Sequence, residues 1–238
     1  LRIHVHGPAG TIILSRPDKR NALSRALLQE LLEAFGDLHM EKRVRAVILT
    51  GAESAFCAGM DLAEMLATSQ LPDPHPTWHA DAVLYREVLQ TMLQFPKPII
   101  AAVNGTAAGM GAHLAFACDL VIAADNAKFI EVFSRRGLVV DALGSYLLPR
   151  MIGMHKAKEL IFFAEDLPVL EAERLGLVNG QLGVLPDRMM PESVFFRVED
   201  GVLDGERQAE KLRIKLLQGA QPEELFQTAR RPRGLEQD

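Results

Sequence analysis

The stretch Pro98-Ile99-Ile100-Ala101-Ala102-Val103-Asn104-Gly105-Thr106-Ala107-Ala108-Gly109-Met110-Gly111 decides the fold of this chain. Ile99 to Val103 is a short unbroken apolar run, too brief for a helix and closed by Asn104-Gly105, so it predicts a buried strand. Pro96 and Pro98 end the helical pattern that runs from Trp78 to Phe95 just before it. After the small residues of the turn, Gly109 to Cys118 predicts a short helix and Leu120 to Ala123 a second strand. Strands without polar alternation, joined through helices, point to a parallel sheet covered on both faces.

The same logic extends in both directions. Upstream, Ser24 caps a helical pattern carrying Leu27, Leu28, Leu31, Leu32 and Phe35, and Val44 to Thr50 follows as a buried strand ending at Gly51. Before it, Ile3 and Val5 on one side and the run Thr11 to Leu14 flank Gly7-Pro8-Ala9-Gly10, which predicts a hairpin. Downstream, Lys128 to Ile130 is a further short strand, and Leu147, Ile152, Ala157 and Leu160 continue as helices from Gly144. The prolines of Pro72-Asp73-Pro74-His75-Pro76 predict a stiff surface connection. Beyond Asn179 the periodicity is lost and returns only over Glu206 to Gln218, ahead of a basic Arg230-Arg231-Pro232-Arg233 tail. The chain therefore divides into a mostly parallel α/β core over residues 1–180 and an atypical, partly helical segment over 181–238.

Bulk properties narrow the class. A chain of 238 residues, 48% hydrophobic and 24% charged, is a globular one. At that length folding buries about 70% of the unfolded chain's surface, so neither disulfides nor a structural metal is required. The two cysteines, Cys57 and Cys118, fit that expectation. The net charge of −5 argues against nucleic-acid and membrane-surface roles, both of which need a positive field. No apolar run approaches the roughly 20 residues of a membrane helix. Leu1 to His6 lack the layout of a signal peptide, which predicts a cytoplasmic protein; a start at Leu1 leaves a trimmed N-terminus open.

Two glycine-bearing turns follow buried strands and lead into helices: Phe56-Cys57-Ala58-Gly59-Met60-Asp61-Leu62 and Asn104 to Gly111. Small residues there allow close approach to the main chain, and free N–H groups at a helix start form an anion or oxyanion site. Neither turn carries the Gly-Lys-Ser/Thr of a phosphate loop, and no Gly-x-Ser-x-Gly elbow is present. His75 and His79 have metal-compatible spacing but no third ligand nearby, so no metal is expected. Cys57 has no base partner in sequence and reads as packing. The helix around Trp78, Tyr85 and Leu89 suits the wall of a pocket, and Trp78 suits plain core equally well.

Four motifs in order carry a resemblance: Arg16-Pro17-Asp18-Lys19-Arg20-Asn21-Ala22-Leu23, the Phe56-to-Leu62 turn, the Pro98-to-Gly111 strand and turn, and Leu148-Pro149-Arg150 through Gly176-Leu177-Val178-Asn179. Together they resemble the enoyl-CoA hydratase/isomerase (crotonase) family over residues 3–180. The resemblance implies an α/β spiral of ββα units with a helical C-terminal region, assembled as a homotrimer or hexamer and binding an acyl-CoA thioester. It implies no cofactor beyond the coenzyme A carried by the substrate. By position, it assigns the N–H groups of Ala58 and Met110 to an oxyanion hole, and Arg20, Ala22, Ala58, Gly59, Met60, Asp61, Leu62 and Gly109 to the coenzyme A and substrate contacts. The Asp61 side chain is equally placed to cap the following helix, and Arg20 to be a solvated loop cation.

Departures from the family pattern bear on mechanism. Hydratases of the family use a pair of glutamates, and those positions here hold His113 and Phe133. Aligned on Phe129 and Gly137, Asp141 falls where the family's Asp-dependent members, such as the isomerase of ring-epoxidised phenylacetyl-CoA, carry a carboxylate. One carboxylate suffices to move a proton between two carbons, whereas hydration must also activate water. The resemblance thus implies enoyl-CoA double-bond isomerisation through Asp141, with His113 and Glu131 as reserve acid/base groups. Hydration, or an acyl-CoA-binding homologue without catalysis, is the alternative. Asp141 on its own is also placed to cap the helix near Gly144.

Overall fold

A computed structural model describes residues 1–182. Strands β1 (Arg2–His6) and β2 (Ala9–Leu14) form the expected hairpin, paired antiparallel from Arg2↔Ile13 to His6↔Ala9. Gly7, at φ 56°, makes the tight reversal. Helix α1 (Arg25–Met40) follows, with the Ser24 hydroxyl accepting the Leu27 N–H at 3.2 Å. It buries Leu27, Leu28, Leu31 and Phe35.

Strand β3 (Ala46–Gly51) is buried along its whole length, because it pairs in parallel with β2 on one side and with the later strand β5 (Ile99–Val103) on the other. Between β3 and β5 lie β4 (Ala55–Cys57), helix α2 (Leu62–Ser69) and helix α3 (His75–Leu93). Helix α3 starts at His75, not at Trp78. Pro76 therefore sits in its first turn, where the missing N–H costs nothing, and the stiff connection is shorter than the proline spacing predicts.

After β5 come β6 (Thr106–Ala108), helix α4 (Met110–Phe116), β7 (Leu120–Ala124) and β8 (Lys128–Ile130). Helices α5 (Gly144–Ile152) and α6 (Met154–Phe163), strand β9 (Asp166–Pro168), helix α7 (Val169–Arg174) and strand β10 (Gly180–Leu182) complete the described chain. The first sheet has the order β1-β2-β3-β5-β7-β10 and is parallel except for the leading hairpin. The second, β4-β6-β8-β9, is built from three-residue strands.

After the leading hairpin and α1, the pairs β3–β4, β5–β6 and β7–β8 each send a longer strand through the first sheet and a short one through the second before the chain turns into helix. The turns between the two sheets are tight. A β-carbon on Gly51 would lie 2.2 Å from the Ala55 carbonyl oxygen, and one on Gly105 2.2 Å from that of Ser54. Side-chain amides staple successive units: Asn104 Nδ2 donates to the Glu53 carbonyl at 2.6 Å, and buried Asn21 Nδ2 donates to Ala52 and Ala55 at 2.9 and 2.7 Å. The ββα spiral is the architecture that the four motifs imply, whereas the apolar pattern alone finds the longer strands and β8 but not β4 or β6.

The expected boundary at residue 180 falls within β10, which extends the first sheet beside β7 through Leu182. The remainder of the 181–238 segment, with its expected helix over Glu206 to Gln218, lies outside the described residues. Among the described residues no helix is long and apolar enough to cross a membrane.

Candidate active site

The two glycine-bearing turns meet. Gly59, at φ 89°, lies so close to the second turn that a β-carbon would fall 2.7 Å from the Ala108 carbonyl oxygen and 3.7 Å from the Met110 nitrogen. The main-chain hydrogen bonds around it settle which amides are free. Ala58 N–H donates to the Arg20 carbonyl at 3.0 Å, so it is not available to a ligand. This corrects the expected role of Ala58 as an oxyanion donor. Leu23 pairs with the residues flanking Met60: its N–H donates to Gly59 O at 2.8 Å, and its carbonyl accepts from Asp61 N–H at 3.0 Å. In such a parallel bridge the Met60 N–H faces away from Leu23. Neither it nor the N–H of Met110, the first residue of α4, has an acceptor among the described residues.

The surrounding loop is held from below. Arg16 pairs with the Asp61 carboxylate at 2.8 Å and donates to the Ala22 carbonyl at 2.7 Å. Asp61 also accepts the Ala63 N–H at 3.0 Å, so its side chain caps α2. Burial disfavours its charge, but hydrogen bonds from Arg16 and from the Ala63 and Glu64 N–H groups outweigh that cost and hold its carboxyl below the ordinary value. Asp61 and Ala22 thus shape the turn from inside, both buried. The Arg20 and Leu62 side chains are exposed beside it, and Met60 is half-buried. Gly109, at φ 51° and ψ −125°, has a backbone conformation that strains any residue with a β-carbon.

The third component comes from α4, the segment after β8 and the start of α5. His113 is fully buried, and its Nε2 lies 3.1 and 3.0 Å from the two carboxylate oxygens of Glu131, itself only 4% exposed. The imidazole stacks on Phe133, with ring centroids 5.4 Å apart and planes inclined by 10°. Its Nδ1 is buried with no partner among the described residues. Gly144 packs on the ring's edge: a β-carbon there would fall 2.2 Å from Cε1 and 2.3 Å from Nε2.

Asp141 begins the turn that ends at Gly144, whose N–H donates to the Asp141 carbonyl at 2.9 Å. Ala142 and Leu143 between them have φ of 43° and 61°. Left-handed backbone at residues other than glycine costs of order 1–3 kcal/mol each and persists only where neighbours enforce it. Asp141 keeps solvent access, but the protein around its inner side desolvates the carboxyl and pushes it above the ordinary value. Charge on His113 and a backbone hydrogen bond pull it down, and Glu131 pushes it further up. Asp141 bears on Tyr85 in α3 too: burial raises that phenol first, with Asp81 and Asp141 adding and Arg25 opposing.

Asp141, His113 and Glu131 thus share one electrostatic neighbourhood, with Tyr85 on its α3 side. Leu89, expected on the same wall, is instead fully buried core, and Trp78 is 42% exposed with its ring against His75. Sequence reasoning missed the Met60 amide as a free donor and Arg16 as the partner of Asp61. Both depend on pairing between Arg16–Leu23 and the Gly59 turn, which no local pattern encodes. Cys57 is buried, its thiol pushed up to about 12 by desolvation, in keeping with a packing role. Among the described residues no group of three or more His, Cys, Asp and Glu side chains is placed to hold a metal ion.

Residues 8–199 match the family model described as "Enoyl-CoA hydratase/isomerase". The chain is 41% identical over 182 residues to a protein named "Probable enoyl-CoA hydratase" from Rhodobacter capsulatus, covering 75% of this chain and 66% of that one. It is 35% identical over 175 residues to the 1,2-epoxyphenylacetyl-CoA isomerase of Escherichia coli, covering 74% of this chain and 66% of the relative. It therefore spans just under two thirds of the length of these curated relatives. The crystal structure of an enoyl-CoA hydratase from Bacillus anthracis superposes with a TM-score of 0.71 at 36% identity, over 77% of this chain and 70% of that one.

Proposed function

The chain belongs to the enoyl-CoA hydratase/isomerase family, and from that membership we propose that it isomerises an enoyl-CoA thioester through an enolate held by the Met60 and Met110 N–H groups. The observation that carries this reading is the contact across Gly59, which brings together two main-chain amides without an acceptor among the described residues, that of Met110 one turn of α4 before His113. Fixed amide donors aimed at a developing negative oxygen contribute about 3–4 kcal/mol each in related acyl chemistry. Main-chain donors also tolerate methionine at both positions, because the side chain takes no part.

Asp141 is the proton carrier. Ionised, it takes a proton from the carbon next to the thioester or from the vinylogous position, and the enolate oxygen is held by the two amides. Protonated, it returns the proton to the other carbon, shifting the double bond without net addition. A carboxyl raised above its ordinary value suits both halves, because it binds the proton more firmly and still releases it. Glu131 is a poorer candidate for this role, since both its oxygens face His113 Nε2.

Exposed apolar side chains on α6, Phe162 at 66% and Phe163 at 69%, support assembly through this face into the homotrimer or hexamer that the family resemblance implies. Sedimentation of the purified protein tests that assembly. The activity is tested by incubating enoyl-CoA thioesters of varied chain length in deuterium oxide, with mass and NMR analysis of the products. Isomerisation gives a shifted double bond and deuterium at the α- or γ-carbon. A product heavier by one water assigns hydration instead, and tight coenzyme A binding without exchange assigns a binding protein.

A further inference from the structure

The His113–Glu131 pair is the most unusual feature of the described core. It buries an imidazole and a carboxylate where an apolar pair of similar volume is often at least as stable, and fixing one conformation is a known use of such a pair. Two observations say which conformation. Gly144 packs on the imidazole edge, where any β-carbon would fall 2.2 Å from Cε1, and the turn it closes begins at Asp141 and carries two consecutive left-handed residues. Glu131 fixes the ring from Nε2, Phe133 holds its face, and the Asp141 turn rests through Gly144 on its Cε1–Nε2 edge.

We propose that His113, held by Glu131, is a positioning residue that seats the Asp141 turn and thereby aims the Asp141 carboxylate at the substrate. The imidazole is fully buried, with Nε2 held by Glu131 and Nδ1 enclosed without a partner among the described residues, so on this reading it acts on the turn and not on the reacting carbon. Glu131 is the second member of the device, because without it the ring is free to rotate away from Gly144. The inference rests on the reading of Asp141 as the proton carrier, and its test separates the two.

The test is a double-mutant cycle on solvent-deuterium exchange into an enoyl-CoA thioester, with calorimetric coenzyme A binding used to count folded sites. His113→Leu keeps bulk but loses the donor to Glu131, and a misplaced carboxylate is expected to lower kcat by about 100-fold with KM unchanged. His113→Gln presents an amide N–H near the position of Nε2 and is expected to recover most of that loss. In an Asp141→Asn background, His113→Leu is expected to cost nothing more, because a positioning residue has nothing left to position. Should His113→Leu fail to fold, Gly144→Ala pushes a methyl against the Cε1–Nε2 edge of the ring and is expected to give the same fall in kcat at constant KM. Asp141→Asn slowed while His113→Leu or Gly144→Ala exchanges at the wild-type rate overturns the positioning role alone. Losses that multiply in the double variant, or His113→Gln as slow as His113→Leu, overturn it too, since the imidazole then has chemistry of its own. Wild-type exchange in Asp141→Asn overturns the reading of Asp141 and this inference with it.

Discussion

Gly59 sits against the Ala108 carbonyl with no room for a side chain: a β-carbon would fall 2.7 Å from that oxygen. This contact joins the two turns that carry the Met60 and Met110 amides, one from the β3–β4–α2 unit and one from the β5–β6–α4 unit. The spiral repeat thus does more than build a core. Placing successive ββα units side by side brings equivalent turns into register, and the site forms where they touch.

Gly59→Ala tests that relationship. The substitution places an L-residue at φ 89° and pushes the new methyl into main chain that cannot move aside as a side chain could. The strain is expected to lower stability by about 1–3 kcal/mol. Separating the two amides should also lower kcat by about 100-fold. Urea unfolding and exchange kinetics on the same sample measure both. Full activity with reduced stability would show that the contact is structural only.

Arg25 ties three helices together, and its removal has a distinct signature. From the start of α1 it donates to both oxygens of Asp81 in α3 at 2.6 and 2.7 Å and to the Thr68 hydroxyl in α2 at 2.7 Å. Asp81 is 6% exposed, so Arg25→Ala leaves a carboxylate largely buried without its cation. Breaking a buried pair typically costs 3–5 kcal/mol; with the Arg25 side chain 37% exposed, about 1–3 kcal/mol is expected. Arg25→Lys should recover little, because a single ammonium cannot serve both carboxylate oxygens and Thr68 in the same plane. Thermal unfolding measures the loss, and a raised KM for long acyl chains is expected if α3 lines the acyl path.

Arg16→Ala acts on the other half of the site. It strips the Asp61 carboxylate of its cation at 2.8 Å and the Ala22 carbonyl of a donor, loosening the loop that presents Met60. In the wild-type protein the folded state depresses the Asp61 carboxyl. Such a group stabilises the fold above its unfolded value and loses that contribution as pH falls through the folded one. Wild-type stability should therefore decline through this group in the acid range at and below the ordinary carboxylate value, and Arg16→Ala should flatten that part of the profile. Urea midpoints between pH 3 and pH 7 measure it, and parallel profiles for the two proteins would show that the pair is energetically silent.

How much of this was legible in the sequence depends on how far each feature reaches along the chain. Strands β5 and β8 occupy the expected residues, Ile99–Val103 and Lys128–Ile130, because apolar runs bounded by turn residues are local signals. Strands β4 and β6 fall inside stretches that read as turns, since Ala-Phe-Cys and Thr-Ala-Ala are too short to show a period and are ordered by each other. The free amide is that of Met60 and not Ala58 for the same reason: Arg20 lies 38 residues from Ala58 and Leu23 lies 37 from Met60. His113 and Glu131 each stand out as titratable groups beside the site, but only the structure shows that they bond to one another.

Asp141→Asn should separate function from stability. Desolvation raises the carboxyl of Asp141 in the folded protein, so between its unfolded and folded values the folded state holds more protons than the unfolded one. Stability from this group is therefore fully present below the unfolded value and is lost as pH rises through the folded one. At neutral pH the ionised carboxylate is a cost, and the neutral, isosteric amide removes it. Asp141→Asn is expected to unfold at a higher temperature than the wild type at pH 7 and to show no difference near pH 3, where both side chains are uncharged. Turnover behaves in the opposite sense. Proton abstraction needs the ionised form, so wild-type kcat should rise with pH through a limb displaced above the ordinary carboxylate value, and the variant should lose about 100- to 10,000-fold. Calorimetric melting at the two pH values and a pH profile of deuterium exchange measure the two halves. A variant that is less stable at pH 7 would mean that the hydrogen bonds of the ionised Asp141 outweigh its desolvation.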